Sequence, residues 1–159
     1  MSSLEARLRQ LEKRIALLED RAAIQDLRFR YHVAVNEKAL EAIPELFTED
    51  AEVHFEGIGA ASGRSAIATL YAEVVGQSPF IKQFIHNHVI TLDGNVATGL
   101  SYLDARTVRD GESLLVAARF DDRYRRTPDG WRFESLRLRL YFAAPLSSGW
   151  AEAASLPSS

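Results

Sequence analysis

The sequence predicts one α+β domain, with helices first and a run of antiparallel strands after them. Three observations carry this. Apolar residues recur at helical spacing through much of the first half, from Leu4 to Val74. Long alternating or apolar runs fill the second half, between Ile81 and Phe142. The turn sequences LDGN and TPDG join those runs as hairpins. Helices followed by hairpin-linked strands mean α+β rather than a parallel sheet. At 159 residues the chain can bury one substantial core and is short for two.

The elements follow in order. Leu4, Leu8, Leu11, Ile15 and Leu18 are spaced by alternating fours and threes, a heptad seam. Glu5, Arg7, Arg9, Glu12, Lys13 and Arg14 occupy the other faces. A helix under three heptads is marginal alone and must bury its seam, on its own domain or against another subunit. The nearly pure aliphatic seam favours the subunit contact. RAAIQDLRFRYHVAV continues the helix, with Ile24, Leu27, Tyr31 and Val35 on one stripe, and Asn36 ends it. A second helix is expected over 39–47, shortened by Pro44. AEVHFEG alternates, with Val53 and Phe55 on one face and Glu52, His54 and Glu56 on the other. Ile67, Leu70, Tyr71 and Val74 mark a third helix over 65–75.

Strands are expected over 81–92, 96–108, 113–126 and 131–142. The last changes parity between Phe133 and Leu136, which implies a bulge or a sheet buried on both faces. The tail from Ser147 is rich in Ser, Ala and Pro and is expected to be loose. The chain thus divides into a helix over 1–19, a domain over 20–146 and a tail over 147–159.

Composition narrows the function. Hydrophobic residues make up 47% and charged residues 26%, an ordinary globular balance. A net charge of -3 offers no basic surface for nucleic acid. The lack of cysteine removes thiol catalysis, disulfides and zinc-thiolate sites. No apolar run has the length of a membrane span, and MSSLEARLRQLEKR is too charged for a secretory signal. The expected location is the cytoplasm.

RAAIQDLRFRY, ELFTEDAEV, EGIG, HNHVITLDGNVATG, RYRRTPDGWRFESL and YFAAPL, in that order, resemble the nuclear transport factor 2-like, or SnoaL-like, superfamily over 20–146. RAAIQDL, EGIG and the DG-W-F hairpin resemble its hexachlorocyclohexane dehydrochlorinase branch. Scytalone dehydratase and bile-acid dehydratase are more distant in pattern. The resemblance implies a cone-shaped, strongly curved mixed sheet, wrapped by three helices around an apolar pocket. It also implies a dyad: a His near the start of the first long strand as general base, oriented by an Asp near the end of the first helix. Those positions fall here on Gln83 and Asn36, and neither side chain takes a proton at neutral pH.

Other residues then become candidates. On a regular strand Gln83, Ile85 and Asn87 share one face, while Phe84, His86 and His88 share the other. A bulge near Pro79 would turn His86 inward. His86 and His88 lack a third metal ligand, so no metal is expected. Tyr31 matches a dehydratase hydroxyl by resemblance, or is a core tyrosine. His32 is expected exposed or at the edge of the stripe. Asp104 is a possible base in an apolar pocket, or a surface partner of Arg106. Arg119, Arg137 and Arg139 interrupt apolar strands. They either hold an acidic group or pair with Asp121, Asp122 or Glu134. Val53, Phe55 and Tyr141 complete the expected lining, and His54 is expected in solvent.

Two functional readings stand. The first is a lyase or isomerase, without cofactor, acting on a small apolar molecule of cyclic or polyketide type. Tyr31, Asn36 and Gln83 would orient the substrate, Asp104 or a shifted His86 would move the proton, and Arg119 or Arg139 would stabilise negative charge. The second is a non-catalytic binding module that has lost its dyad. In both, a homo-oligomer, dimer or trimer, is expected through the N-terminal helix and the outer sheet face.

Overall fold

The computed structural model describes residues 3–151. Helix α1, Ser3–Asn36, runs unbroken for 34 residues. It contains no Gly or Pro, so nothing kinks it, and the seam helix and the first domain helix are one element. It meets the domain at Asp20, whose carboxylate accepts hydrogen bonds from Arg126 Nη1 (2.7 Å) and Nη2 (2.6 Å) and from Trp131 Nε1 (3.0 Å). Beyond that point Ile24, Leu27, Arg28, Tyr31 and Val35 are buried.

The expected second helix is a single 3-10 turn, Pro44–Leu46. Pro44 supplies no N–H to a preceding turn, so no continuous helix runs through it; Ala42 N closes an isolated turn on Ala39 O (3.0 Å) and the 3-10 turn starts after the proline ring. Strand β1 (Phe47–Phe55) follows, hairpinned to β2 (Gly59–Ser62), a short strand that the sequence pattern does not signal. Helix α2 (Arg64–Tyr71) ends in a π turn, Ala72–Gly76. The remaining strands are β3 (Ile81–Ile85), β4 (Val89–Asp93), β5 (Val96–Arg109), β6 (Glu112–Thr127) and β7 (Gly130–Pro145). They form one curved, unclosed sheet in the order β2-β1-β7-β6-β5-β3, with β4 also on β5. β1 runs parallel to β7 and the other pairs are antiparallel, so the sheet is mixed.

Two irregularities position the interior. The expected strand over 81–92 is two strands. Ile85 pairs with Leu103 and Val89 with Leu100, so residues 86–88 stand opposite Ser101 and Tyr102. One extra residue in a strand is a bulge, and it reverses which face the next side chains take. Asn87 accommodates it, its Oδ1 accepting from Tyr102 N at 2.9 Å. In β7, Phe133 pairs with Tyr124 and Ser135 with Arg123, which leaves Glu134 extra. That bulge is the parity change expected between Phe133 and Leu136, and it lets Trp131, Phe133, Leu136 and Leu138 all be buried.

The core lies between the helices and the inner sheet face. There Ala97, Leu103, Ala118, Phe120, Tyr124, Phe133 and Leu136 meet the α1 stripe. Of the expected tail, Ser148 N donates to Pro145 O at 3.1 Å and the Trp150 ring stacks on Phe142 at 5.8 Å. Residues 152–159 lie outside the described residues. No helix among the described residues is long and apolar enough to cross a membrane.

Candidate functional site

The inner face holds a chain of buried polar groups. Arg28 on α1 and Asp122 on β6 are both buried and form a salt bridge, with Arg28 Nε donating to Asp122 Oδ2 at 3.1 Å and Nη2 donating to the same oxygen. The guanidinium also lies over the rings of Phe120 (4.2 Å), Phe133 (4.9 Å) and Tyr31 (4.9 Å). Burial works against the Arg28 charge. The attraction of Asp122, with Tyr124 and Tyr31 behind it, outweighs that and holds its pKa above the ordinary guanidinium value. Burial pushes the Asp122 carboxyl up, and the guanidinium and the Tyr124 hydroxyl act in the opposite sense. A buried guanidinium without a counter-ion is far costlier than the pair, so Asp122 stands as the carboxylate.

The chain continues to His88. Tyr124 Oη donates to Asp122 Oδ2 at 2.8 Å, and His88 Nε2 lies 3.0 Å from Tyr124 Oη. A phenol has one proton, and here the carboxylate takes it. The Tyr124 oxygen can therefore only accept from His88. The imidazole carries its proton on Nε2 and leaves Nδ1 as a bare lone pair. That Nδ1 is buried with no partner among the described residues. Gly99 makes room for the contact. A Cβ there would meet the Tyr124 ring at 2.8 Å and His88 Nε2 at 2.9 Å.

Tyr31, Tyr71 and His32 lie beside this chain. Tyr71 Oη donates to Tyr31 Oη at 2.8 Å, which leaves the Tyr31 proton for a different acceptor. The Tyr31 and His32 rings meet edge to face at 5.1 Å. Burial drives the His32 imidazole down to about 3 and His88 down to about 4, with the Arg28 charge adding to both. Both rings are uncharged at neutral pH. Burial pushes the Tyr31 phenol up to about 12, so it too is neutral. The Gln83 carboxamide faces His32 closely enough to favour its charged form, yet makes no hydrogen bond of normal geometry with it. Arg28 Nη1, both His32 nitrogens, Gln83 Oε1, Ser101 Oγ and Asp122 Oδ1 share the lack of a partner with His88 Nδ1. Buried polar atoms are nearly always hydrogen-bonded, to protein or to water, so this cluster is the most polar part of the interior and the candidate site.

Asn36 and Gln83, the two residues expected at the dyad positions, are together, in structural use. Asn36 Nδ2 donates to Gln83 O (2.9 Å) and Gln83 N donates to Asn36 Oδ1 (2.7 Å), so the side chain acts as one more strand on the free edge of β3. Lys82 Nζ donates to the Asn36 carbonyl.

The other expected site residues are divided between two faces. Tyr31, Val53 and Phe55 face the interior. Asp104 does not. It sits on the outer face, ion-paired to Arg106 at 2.8 Å, with His86 Nε2 at 3.6 Å. The bulge falls at 86–88 rather than near Pro79. It therefore turns His88 inward and leaves His86 outside, with 67% of its side chain exposed. Arg119 also faces outward and pairs with Asp121 at 2.6 Å. Arg139 pairs in register with Arg119 on that face, and Tyr141, the extra residue of a second bulge opposite Ala117 and Ala118, is exposed as well. With His54, Glu56, Arg123 and Arg137, the arginines border an open groove of about 960 Å³ on the outer face. His32, expected exposed, is buried.

Arg28, His32, His88, Ser101, Asp122 and Tyr124 are the interior residues that sequence reasoning missed. Arg28 had a signal, since it falls four after Ile24 and three before Tyr31, on the buried stripe. A charge on an apolar stripe calls for a buried counter-ion. Asp122 and Tyr124 also alternate in step with Ala118 and Phe120.

Known proteins resemble the chain along most of its length. Residues 16–137 match the SnoaL-like domain model. Gamma-hexachlorocyclohexane dehydrochlorinase of Sphingobium indicum is 29% identical over 136 residues, 82% of this chain and 86% of that protein. An uncharacterized protein of Mycobacterium tuberculosis is 29% identical over 122 residues, 74% of this chain and 83% of that one. The crystal structure of LinA superposes with a TM-score of 0.79 at 25% identity, covering 85% of this chain and 95% of LinA. An NTF2-like protein with a cystatin-like fold from Novosphingobium aromaticivorans is 30% identical with a TM-score of 0.68, covering 92% of this chain and 94% of that one. The match to the domain model, the order of elements and the curved mixed sheet agree: the chain belongs to the SnoaL-like domain family.

Proposed function

We propose that the protein is a cofactor-independent lyase or isomerase, acting on a small, largely apolar molecule of cyclic or polyketide type, with His88 as its proton acceptor. The observation that carries this reading is the order Asp122–Tyr124–His88, which leaves His88 Nδ1 unprotonated, buried and without a partner among the described residues. The dehydrochlorinase relative supports the reaction class.

In an elimination, Nδ1 takes a proton from carbon, the C–H electron pair becomes the new double bond, and the leaving group departs with its own pair. The imidazolium keeps its Nε2–H on the Tyr124 oxygen, whose own proton stays hydrogen-bonded to Asp122. Arg28 Nη1 and the Tyr31 hydroxyl are the donors that stabilise negative charge on the departing group or an enolate. Gln83 orients the substrate. Asp104, His86, Arg119, Arg139 and Tyr141 have no part in this interior chemistry, since they stand on the outer face.

A second reading, a binding module without catalysis, is favoured by one observation. The Asn36 amide both donates to and accepts from the Gln83 backbone, so this residue, expected at the dyad position, holds the edge of β3.

Native mass spectrometry of the purified protein identifies any retained ligand, and γ-hexachlorocyclohexane serves as a defined probe by chloride release. In D2O, a base-catalysed enzyme exchanges the acidic C–H of its ligand for deuterium. Exchange or chloride release by the wild type that is lost in His88→Gln supports the lyase reading. A bound ligand that never exchanges supports the binding module.

A further inference from the structure

We infer that residues 3–29 of α1 form a parallel two-stranded coiled coil with the same segment of a second copy of this chain. Leu4, Leu8, Leu11, Ile15 and Leu18 are 50 to 66% exposed, on a helix that leaves the domain at Asp20 and extends roughly 25 Å beyond it at 1.5 Å per residue. An aliphatic seam of this kind is stable only when covered. Its own domain cannot cover it. At about 100° per residue, the seam and the docking stripe of Asp20, Ile24, Leu27 and Tyr31 fall on opposite sides of one straight helix. Continuing the heptad past Leu18 reaches Ala22, Gln25 and then Phe29, which is 47% exposed on the same outer side.

The charges choose the partner and its direction. With Leu8 and Ile15 at a and Leu4, Leu11 and Leu18 at d, the e positions are Glu5, Glu12 and Glu19, and the g positions are Arg7, Arg14 and Arg21. In a parallel pair, g of one helix meets e of the next heptad on the other. Arg7 then faces Glu12 and Arg14 faces Glu19, in both directions across the two-fold axis. In an antiparallel pair e meets e and g meets g, so glutamates face glutamates and arginines face arginines. The pattern therefore complements itself in one direction only. Leu at every d and β-branched Ile15 at a suit two strands. Because each domain docks on the far side of its own helix, a parallel pair carries the two domains outward without collision.

Sedimentation of the full chain tests this, with a thiol probe that no native cysteine can confuse. The wild type is expected to be a dimer that Leu11→Ser, or Glu12→Arg with Glu19→Arg, shifts to monomer. Mixing the latter with an Arg7→Glu, Arg14→Glu chain is expected to restore a heterodimer. Leu4→Cys is expected to cross-link to itself on mild oxidation. Far-UV circular dichroism and a cooperative unfolding transition confirm that each variant is folded. A monomeric wild type, a trimer, or a dimer indifferent to Leu11→Ser overturns the inference. So does cross-linking of Leu4→Cys to Leu18→Cys but not to itself, the antiparallel outcome.

Discussion

Acidification gives the sharpest test of the interior. His32 is buried, its nitrogens have no hydrogen-bond partner among the described residues, and burial takes its pKa from an ordinary 6.5 down to about 3. The unfolded chain therefore takes up a proton near pH 6.5 that the folded chain refuses until about pH 3. Stability from this group is full above pH 6.5 and is lost as pH falls. At about 1.4 kcal/mol per pH unit, the loss from pH 7 to pH 4 is about 3 kcal/mol. His88 contributes in the same direction, so the measurement is a difference between two proteins. His32→Leu removes two partnerless nitrogens and fills similar volume, and is expected to lie within about 1 kcal/mol of the wild type at pH 7. By pH 4 it is expected to be more stable than the wild type by about 3 kcal/mol, read from urea unfolding at each pH. Parallel curves for the two proteins would refute the reasoning, since they would mean that His32 titrates alike in the folded and unfolded chain.

Arg28→Met leaves the Asp122 carboxylate buried without its counter-ion, with an expected cost of about 3–5 kcal/mol, and Arg28→Met with Asp122→Leu should recover most of it in the same unfolding assay. Recovery of nothing by the double variant would deny that the cost is an orphaned charge. Gly99→Ala drives a methyl into the Tyr124 ring and His88 Nε2 and should destabilise by about 1–3 kcal/mol. The His88 ring resonances should move with it in NMR spectra, and an unshifted His88 spectrum counts against the contact. Asn36→Ala removes both bonds to the Gln83 backbone, with an expected loss of about 1–3 kcal/mol and faster amide exchange along β3. Unchanged exchange at Gln83 would show that the edge does not depend on this side chain.

How far the sequence could be read depended on whether a feature is local. The stripes of α1 and α2, the three long strands β5 to β7 and both hairpin turns were legible, because side-chain period and turn chemistry act over a few neighbouring residues. The β7 parity break was legible for the same reason, as a slip of pattern between Phe133 and Leu136. The bulge at 86–88 was not. It exists because β3 and β4 pair in different registers with β5, and register belongs to the pair of strands rather than to either one. That single residue decides which histidine enters the core. His86 would be inside had the extra residue fallen before it, and His88 is inside because it did not.

By itself, then, the sequence determined the α+β class, helices before strands, the family pattern and the heptad seam. Each of these is written in spacing along the chain. Only the tertiary structure decided that Arg28 meets Asp122, that Tyr124 passes the carboxylate's demand on to His88, and that Asn36 closes the edge of β3. Those contacts join α1 to residues 94 and 47 positions away. No local preference sets such distances. They follow from the pairing of whole strands and the burial of whole faces, where an unpaired charge or hydroxyl must find its partner in space.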